Sequence, residues 1–404
     1  MPRSLYVHVP FCTRRCSYCD FAVDAVREPP VAEWLEAIGR EIELTAAAQG
    51  WRLPLELDTL YVGGGTPSLL GVGAMAALAD RLAPFATLAA GAEWTCEANP
   101  ESFSAALARD WRAAGVNRVS LGVQSFHPAT LRWMGRLHGP EGARSAIAAA
   151  RAGGLENVSL DLIFALPDEL GRDWRADLEE AVGLEPTHVS LYGLTAEAGA
   201  PLGRWVNDGK VALAGEDRYV EEYLLASEVL GREGYEHYEV SNFARRGKVS
   251  RHNAVYWAGL PYAALGPGAH AFAPPLREWN LRSWSAYREA LHAGRRPIDG
   301  SEFLDADATD LEQVWLGLRT STGYDLPIST RDQDLLVTRW VGAGLALRSG
   351  STVRLTTEGW LLLDRLAVDL HEAGPATASA VRRPTAIDAA QPLVKISANP
   401  NPHL

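Results

Sequence analysis

Cysteine is scarce in this chain. Four among 404 residues are too few, and too unevenly placed, for the disulfide framework of a small secreted fold. Positive charge is short as well. Thirty-eight Lys and Arg stand against 50 Asp and Glu, a net charge of −12, whereas a nucleic-acid binder needs a basic surface for phosphate contacts. No apolar run reaches the roughly 18 residues that a membrane-spanning helix requires. Ahead of Leu5 stand only Met1-Pro2-Arg3-Ser4, with no signal-peptide core, so the expected location is the cytoplasm. Internal repeats are absent too. What remains is a chain that is 47% hydrophobic and 22% charged, enough for a sizeable core and against global disorder. Its length suits one large barrel with a small domain, or two to three ordinary domains.

Three of the four cysteines crowd together. Cys12, Cys16 and Cys19 form a C-x3-C-x2-C loop directly behind the alternating strand Leu5, Val7, Val9. Three thiolates from one short loop can hold three irons of a [4Fe–4S] cubane and leave the fourth iron open. A four-cysteine site is closed and serves electron transfer. An open metal position binds and activates a small molecule, as in catalytic zinc sites. A structural zinc would need a fourth ligand, and the usual paired C-x2-C arrangement is missing. Ordinary buried thiols leave the crowding unexplained. Cys96, mid-strand, reads as such a buried apolar thiol.

Along the chain, strand and helix patterns alternate. A helix is expected over Val31 to Ala48 and a strand over Leu57 to Val62, ending in Gly63-Gly64-Gly65-Thr66-Pro67. Strands at Trp94 to Ala98, Arg118 to Val123, Val158 to Leu166 and His188 to Leu194 are separated by helices. Such alternation predicts parallel pairing, with active residues at the C-terminal strand ends. Residues 1–215 make these units. Residues 216–300, rich in aromatics, Gly and His, read as an irregular covering layer, and 301–372 as a small winged-helix-like α+β domain. DNA binding by that wing is disfavoured by the negative charge. Residues 373–404 are Ala-, Pro- and Asn-rich and read as disordered.

Polar residues accompany the strand ends. Gly65 and Thr66 lie where backbone can approach a ligand closely. The bland alternative there is a tight strand–helix turn. Glu97, Gln124, Arg136 and Asp161 come from successive units. They can accept from hydroxyls or an ammonium, or pair with a carboxylate; a structural ion-pair network is the alternative. Tyr6 is a contact near the cysteines or a core tyrosine. His252 stands with Tyr256 and Trp257 in Arg251-His252-Asn253-Ala254-Val255-Tyr256-Trp257, an imidazole beside the flat apolar surface of two aromatic rings. The competing reading is a satisfied histidine beside core aromatics. His237 and His270 read as structural.

The cysteine loop, with Tyr18 before its last cysteine, resembles the radical S-adenosylmethionine (SAM) superfamily. The ordered strings YVHVPFC, CSYCDF, GGGTPS, EANPE, RVSLGVQSF, GRLH, DLIFALP, HVSLYGLT and YEVSNFAR resemble the family of oxygen-independent coproporphyrinogen III oxidase and its paralogue, the HemW-type heme chaperone. The likeness covers roughly residues 4 to 275. It implies a six-stranded partial (β/α)6 barrel, with a cluster on Cys12, Cys16 and Cys19 and SAM on its open iron. It also carries SAM contacts onto Tyr6, Gly65, Thr66, Glu97, Gln124, Arg136 and Asp161. The oxidase pattern has a fourth cysteine where this chain has Phe21. It also has a longer arm before its cysteines, while H-N-x-x-Y-W belongs to the chaperone branch. The implied role is therefore heme binding and transfer to an acceptor, such as a respiratory-chain protein, by a monomer or homodimer without a catalytic residue of its own. The alternative is oxidative decarboxylation in porphyrin biosynthesis. A radical SAM enzyme for another substrate remains a third.

Overall fold

The computed structural model describes residues 1–375. Its centre is a run of six parallel strands in chain order: β1 (Ser4–Val9), β2 (Leu55–Gly64), β3 (Ala86–Ala98), β4 (Arg118–Gln124), β5 (Val158–Phe164) and β6 (His188–Gly193). Between them run α1 (Val31–Gln49), α2 (Ala74–Leu82), α3 (Ala105–Ala114), α4 (Pro140–Ala152) and α5 (Trp174–Gly183). The helix ends follow local chemistry. Ser104 caps α3 by accepting from the Leu107 N–H at 3.2 Å, and Gly115 closes it at φ 112°.

Parallel strands covered on both faces are normally apolar throughout. Here they alternate. One face carries Leu5, Val7, Leu60, Val62, Leu121, Leu160 and Leu191, all buried in the main core. The other carries Tyr6, Tyr61, Glu97, Ser120, Asp161 and Ser190, in register as Tyr6–Tyr61, Glu97–Ser120 and Asp161–Ser190. A polar inner face of this kind holds a site rather than a packed centre.

The stretch expected as an irregular cover contributes regular elements. After α6 (Glu216–Arg232), strands β7 (Glu236–Glu239) and β8 (Asn242–Ala244) join the sheet antiparallel beside β6. Helix α7 (Arg251–Trp257) follows, and β9 (Ala263–Leu265) pairs parallel with β1 through Leu5–Ala263 and Val7–Leu265. The sheet order is thus β9-β1-β2-β3-β4-β5-β6-β8-β7. A second sheet holds β10 (His270–Ala273), β11 (Leu276–Asn280) and β12 (Ile298–Phe303), so that β12 runs across residue 300.

Farther on, α8 (Ala306–Leu318), β13 (Tyr324–Asp325), α9 (Arg331–Gly342), β14 (Ala346–Ser349), β15 (Thr352–Leu355) and α10 (Leu363–Glu372) make a helix-and-hairpin unit. A capping box of Thr330 and Gln333 starts α9. The tail expected to be disordered lies, from residue 376 on, outside the described residues.

Candidate functional site

At the C-terminal ends of the strands an open cavity of ≈ 240 Å³ is lined by Cys12, Cys16, Cys19, Gly65, Glu97, Gln124, Arg136 and Asp161. Residues from six separate segments, expected individually from the sequence, therefore face one space. Thr66 stands directly behind it: its hydroxyl donates to the Cys12 sulfur at 3.3 Å.

The cysteine loop is held by a chain of hydrogen bonds. The Asn99 amide donates to the Thr66 oxygen at 3.0 Å. Arg136 donates to the Asn99 carbonyl and to the Gly122 carbonyl, each at 2.6 Å. The same guanidinium reaches the Cys16 sulfur at 3.8 Å. Thr66, Asn99 and Arg136 thus tie two of the thiols to three strand ends. Burial pushes the Cys12 thiol up to about 11 and Cys19 to about 12, so without metal both stay protonated. Iron binding displaces such protons.

Gly65 leaves space where side chains cannot go. A Cβ there would come within 2.5 Å of the Phe11 carbonyl oxygen and 2.7 Å of that of Val9. Its neighbour Gly64 turns its N–H onto Glu97 at 2.9 Å, and Tyr61 donates to the other Glu97 oxygen at 2.7 Å. Burial nevertheless pushes Glu97 up to about 7. Asp161, which accepts from Ser120 at 3.0 and 3.2 Å, is pushed by burial to about 6. Two carboxyl groups poised near neutrality can take a proton or hold a cationic or hydroxyl-bearing ligand. Gln124 reaches the cavity through a register shift in β4 and a φ of 70°. A bulge of this kind re-aims a side chain.

No three His, Cys, Asp or Glu among the described residues gather as a site for a single metal ion. A cubane asks for something else, one thiolate on each of several irons. The shared cavity, the half-buried thiols that line it and the glycine cradle fit that group.

Tyr6, His252, Tyr256 and Trp257 lie elsewhere. Tyr6 is outside the cavity lining; its hydroxyl meets His8 Nδ1 at 3.0 Å, and its ring packs on Tyr61 at 5.9 Å. His252 is 1% exposed. Its Nδ1 bonds the Thr59 hydroxyl and its Nε2 the Tyr256 hydroxyl, both at 2.8 Å, and burial pushes it down to about 3. In this arrangement both ring nitrogens are occupied, so an iron reaches His252 only when one of those bonds parts. Trp257 packs under Arg319, whose guanidinium carbon is 4.1 Å from the ring centroid. His237 stacks on Phe243 at 3.8 Å and His270 on Trp279 at 5.6 Å, both in structural settings. Cys96 is fully buried against Met75.

Sequence reasoning singled out neither Asn99 nor Ser120 nor Tyr192. Asn99 stood in the quoted EANPE string, and Ser120 and Tyr192 stand in the same period-2 alternation as Glu97 and Asp161. That alternation was the available signal.

The strand-end cavity and cysteine loop define a radical SAM scaffold, and the radical SAM superfamily matches residues 6–181. The coproporphyrinogen III oxidase HemN of Escherichia coli shares the fold, with a TM-score of 0.75 and 21% identity over 92% of this chain and 90% of that one. Sequence similarity runs closer elsewhere. The heme chaperone HemW of Mycobacterium tuberculosis is 38% identical over 366 residues, 90% of this chain and 93% of its own. That of Synechocystis is 35% identical over 80% and 79%. The chain belongs to the HemW heme chaperone family.

Proposed function

We propose that this protein binds heme and passes it to an acceptor protein, on a scaffold that carries a [4Fe–4S] cluster and SAM. The observation that carries this reading is 38% identity across 93% of a heme chaperone, against 21% to the structurally similar oxidase. Phe21 supports it, standing at the cavity where the oxidase pattern has a fourth cysteine.

Cys12, Cys16 and Cys19 would hold the cluster, and Gly65, Glu97, Gln124, Arg136 and Asp161 would surround SAM. When bound, the cluster supplies an open iron and a single electron. The chain's own residues do the rest. Thr66 and Arg136 steady the thiols, Gly65 admits a ligand against backbone, and Gly64 with Tyr61 orients Glu97. Heme would be met by His252, Tyr256 and Trp257. No helix among the described residues is long and apolar enough to cross a membrane, so a membrane-bound acceptor would be met at its exposed face.

The test is anaerobic. The cluster is reconstituted, SAM and dithionite are added, and hemin is titrated into wild type and His252→Ala while coproporphyrinogen III decarboxylation is followed. Hemin binding by wild type, weakened in the variant and without decarboxylation, supports the chaperone. Turnover with 5′-deoxyadenosine and CO2 release replaces it with the oxidase.

A further inference from the structure

Asn99 follows β3 directly and lines the cysteine cavity. Its backbone is fixed from several sides. Pro100 disfavours helical geometry in the residue before it, and Asn99 is extended, with φ −97° and ψ 139°. The Asn99 N–H donates to the Ser68 hydroxyl at 3.2 Å. Its backbone carbonyl accepts from the Ser102 N–H at 3.0 Å and from the Ser102 hydroxyl at 3.2 Å. Gly122 leaves room for the side chain: a Cβ there would come within 3.1 Å of the Asn99 Oδ1 and 3.5 Å of an Arg136 nitrogen. The amide is thereby held between Thr66 and Arg136.

The direction of each hydrogen bond follows from the donors available. A guanidinium only donates, so Oδ1 of Asn99 faces Arg136, at 2.6 Å. The amide nitrogen then faces Thr66 and donates to its hydroxyl oxygen at 3.0 Å. With that oxygen accepting, the single hydroxyl hydrogen is turned to the Cys12 sulfur, 3.3 Å away. Arg136, held by Asn99 and the Gly122 carbonyl, keeps another nitrogen 3.8 Å from the Cys16 sulfur. One neutral amide thus aims a hydroxyl at one thiol and a cation at a second.

Hydrogen bonds to the sulfurs and local charge are among the levers that set the potential of an iron–sulfur cluster. Taking one electron from an external one-electron donor adds a negative charge to the cluster. Donors and positive charge beside the ligand sulfurs favour that state, and so raise the reduction potential.

We infer that Asn99 is a positioning residue that sets the cluster's reduction potential, through the hydroxyl it aims at Cys12 and the guanidinium it holds at Cys16. This rests on the cluster-bearing part of the function proposed above. The influence is exerted at one remove, through Thr66 and Arg136.

The test removes the amide and keeps the charge constant. Asn99→Leu preserves much of the side chain's outline without its donor or acceptor, and Asn99→Ala removes it. Ser102→Ala is the control, since it takes a hydrogen bond from the same turn and leaves the amide in place. All three are reconstituted anaerobically beside wild type and titrated with dithionite and redox mediators, and the reduced cluster is followed by electron paramagnetic resonance. Both Asn99 variants are expected to have a more negative midpoint. At the wild-type midpoint their reduced-to-oxidised ratio falls about tenfold, which is ~59 mV for one electron. Ser102→Ala keeps the wild-type value. Should one Asn99 variant hold no cluster, the other decides alone. Unshifted midpoints, or an equal shift in Ser102→Ala, overturn the inference and leave the cluster reading standing. Loss of the cluster from both Asn99 variants overturns it too, making Asn99 a support of the loop only. A wild type that takes up no reducible cluster overturns the inference and the scaffold reading together.

Discussion

Glu41 is enclosed by Tyr287, Asn280 and the Gly266 N–H, all donors, yet burial pushes it from 4.5 to about 7. A carboxyl raised on folding favours the protonated folded state. Its contribution is fully present below pH 4.5 and is lost as pH rises through about 7. That shift corresponds to about 3 kcal/mol. Glu97 and Asp161 titrate in the same direction, so the difference between wild type and Glu41→Gln isolates this residue. Urea unfolding at pH 4.5 and pH 7.5 is expected to show wild type losing about 3 kcal/mol more than the variant. Equal losses would mean that folding leaves the Glu41 pKa unshifted. Nothing around Glu41 in the sequence announced this role, because its partners are 225 to 246 residues away. The cysteine loop was legible for the opposite reason: its chemistry is carried by spacing within eight consecutive residues.

Helix α7 shows how an element's reading depends on what closes over it. The H-N-x-x-Y-W string spoke for heme in a stretch expected to be irregular, yet it forms a helix, with Ser250 accepting from the Asn253 N–H. The enclosure of His252 by Thr59, on β2, and by Tyr256 could be read only from the fold. Tyr256→Phe separates a brace from a gate. Removing the hydroxyl leaves a buried imidazole nitrogen unbonded, a cost of about 1–3 kcal/mol. If Tyr256 also restrains His252 from iron, the variant unfolds at lower denaturant but takes up hemin faster, by stopped-flow absorbance. Lower stability with an unchanged rate would make it a brace only. The strands were legible where alternation was clean, as in β1 and β6. Strand β3 begins at Ala86, ahead of the expected Trp94, because Ala86-Thr87-Leu88 pairs with Leu55-Glu56-Leu57, a tertiary partner that its own composition does not reveal.

One joint between distant segments is built around Arg319 at the end of α8. It pairs with the fully buried Glu239 at 3.0 Å, lies 4.1 Å from the Trp257 ring centroid and 5.3 Å from that of Trp315. The Y-E-V-S-N and H-N-x-x-Y-W strings therefore meet on one guanidinium from the C-terminal unit. Arg319→Ala leaves Glu239 buried without its partner and is expected to cost about 3–5 kcal/mol. Adding Glu239→Gln to that variant should recover part of the loss, read by thermal unfolding in a double-mutant cycle; strict additivity would show that the pair is not coupled. The parallel sheet was visible in the alternation of strands and helices, whereas this joint brings together positions 239, 257 and 319 that no local pattern connects. The same long reach governs the first strand. One edge of β1 is covered by β2, but the other waits for β9, which ends at Leu265. A ribosome adding ~5–20 residues per second needs on the order of 10–50 s to travel from the cysteine loop to that point. For that interval β1 lacks its outer neighbour while the three thiols are already synthesised. On the function proposed above, a cluster would thus be delivered in a window that opens with the nascent chain and narrows before translation ends.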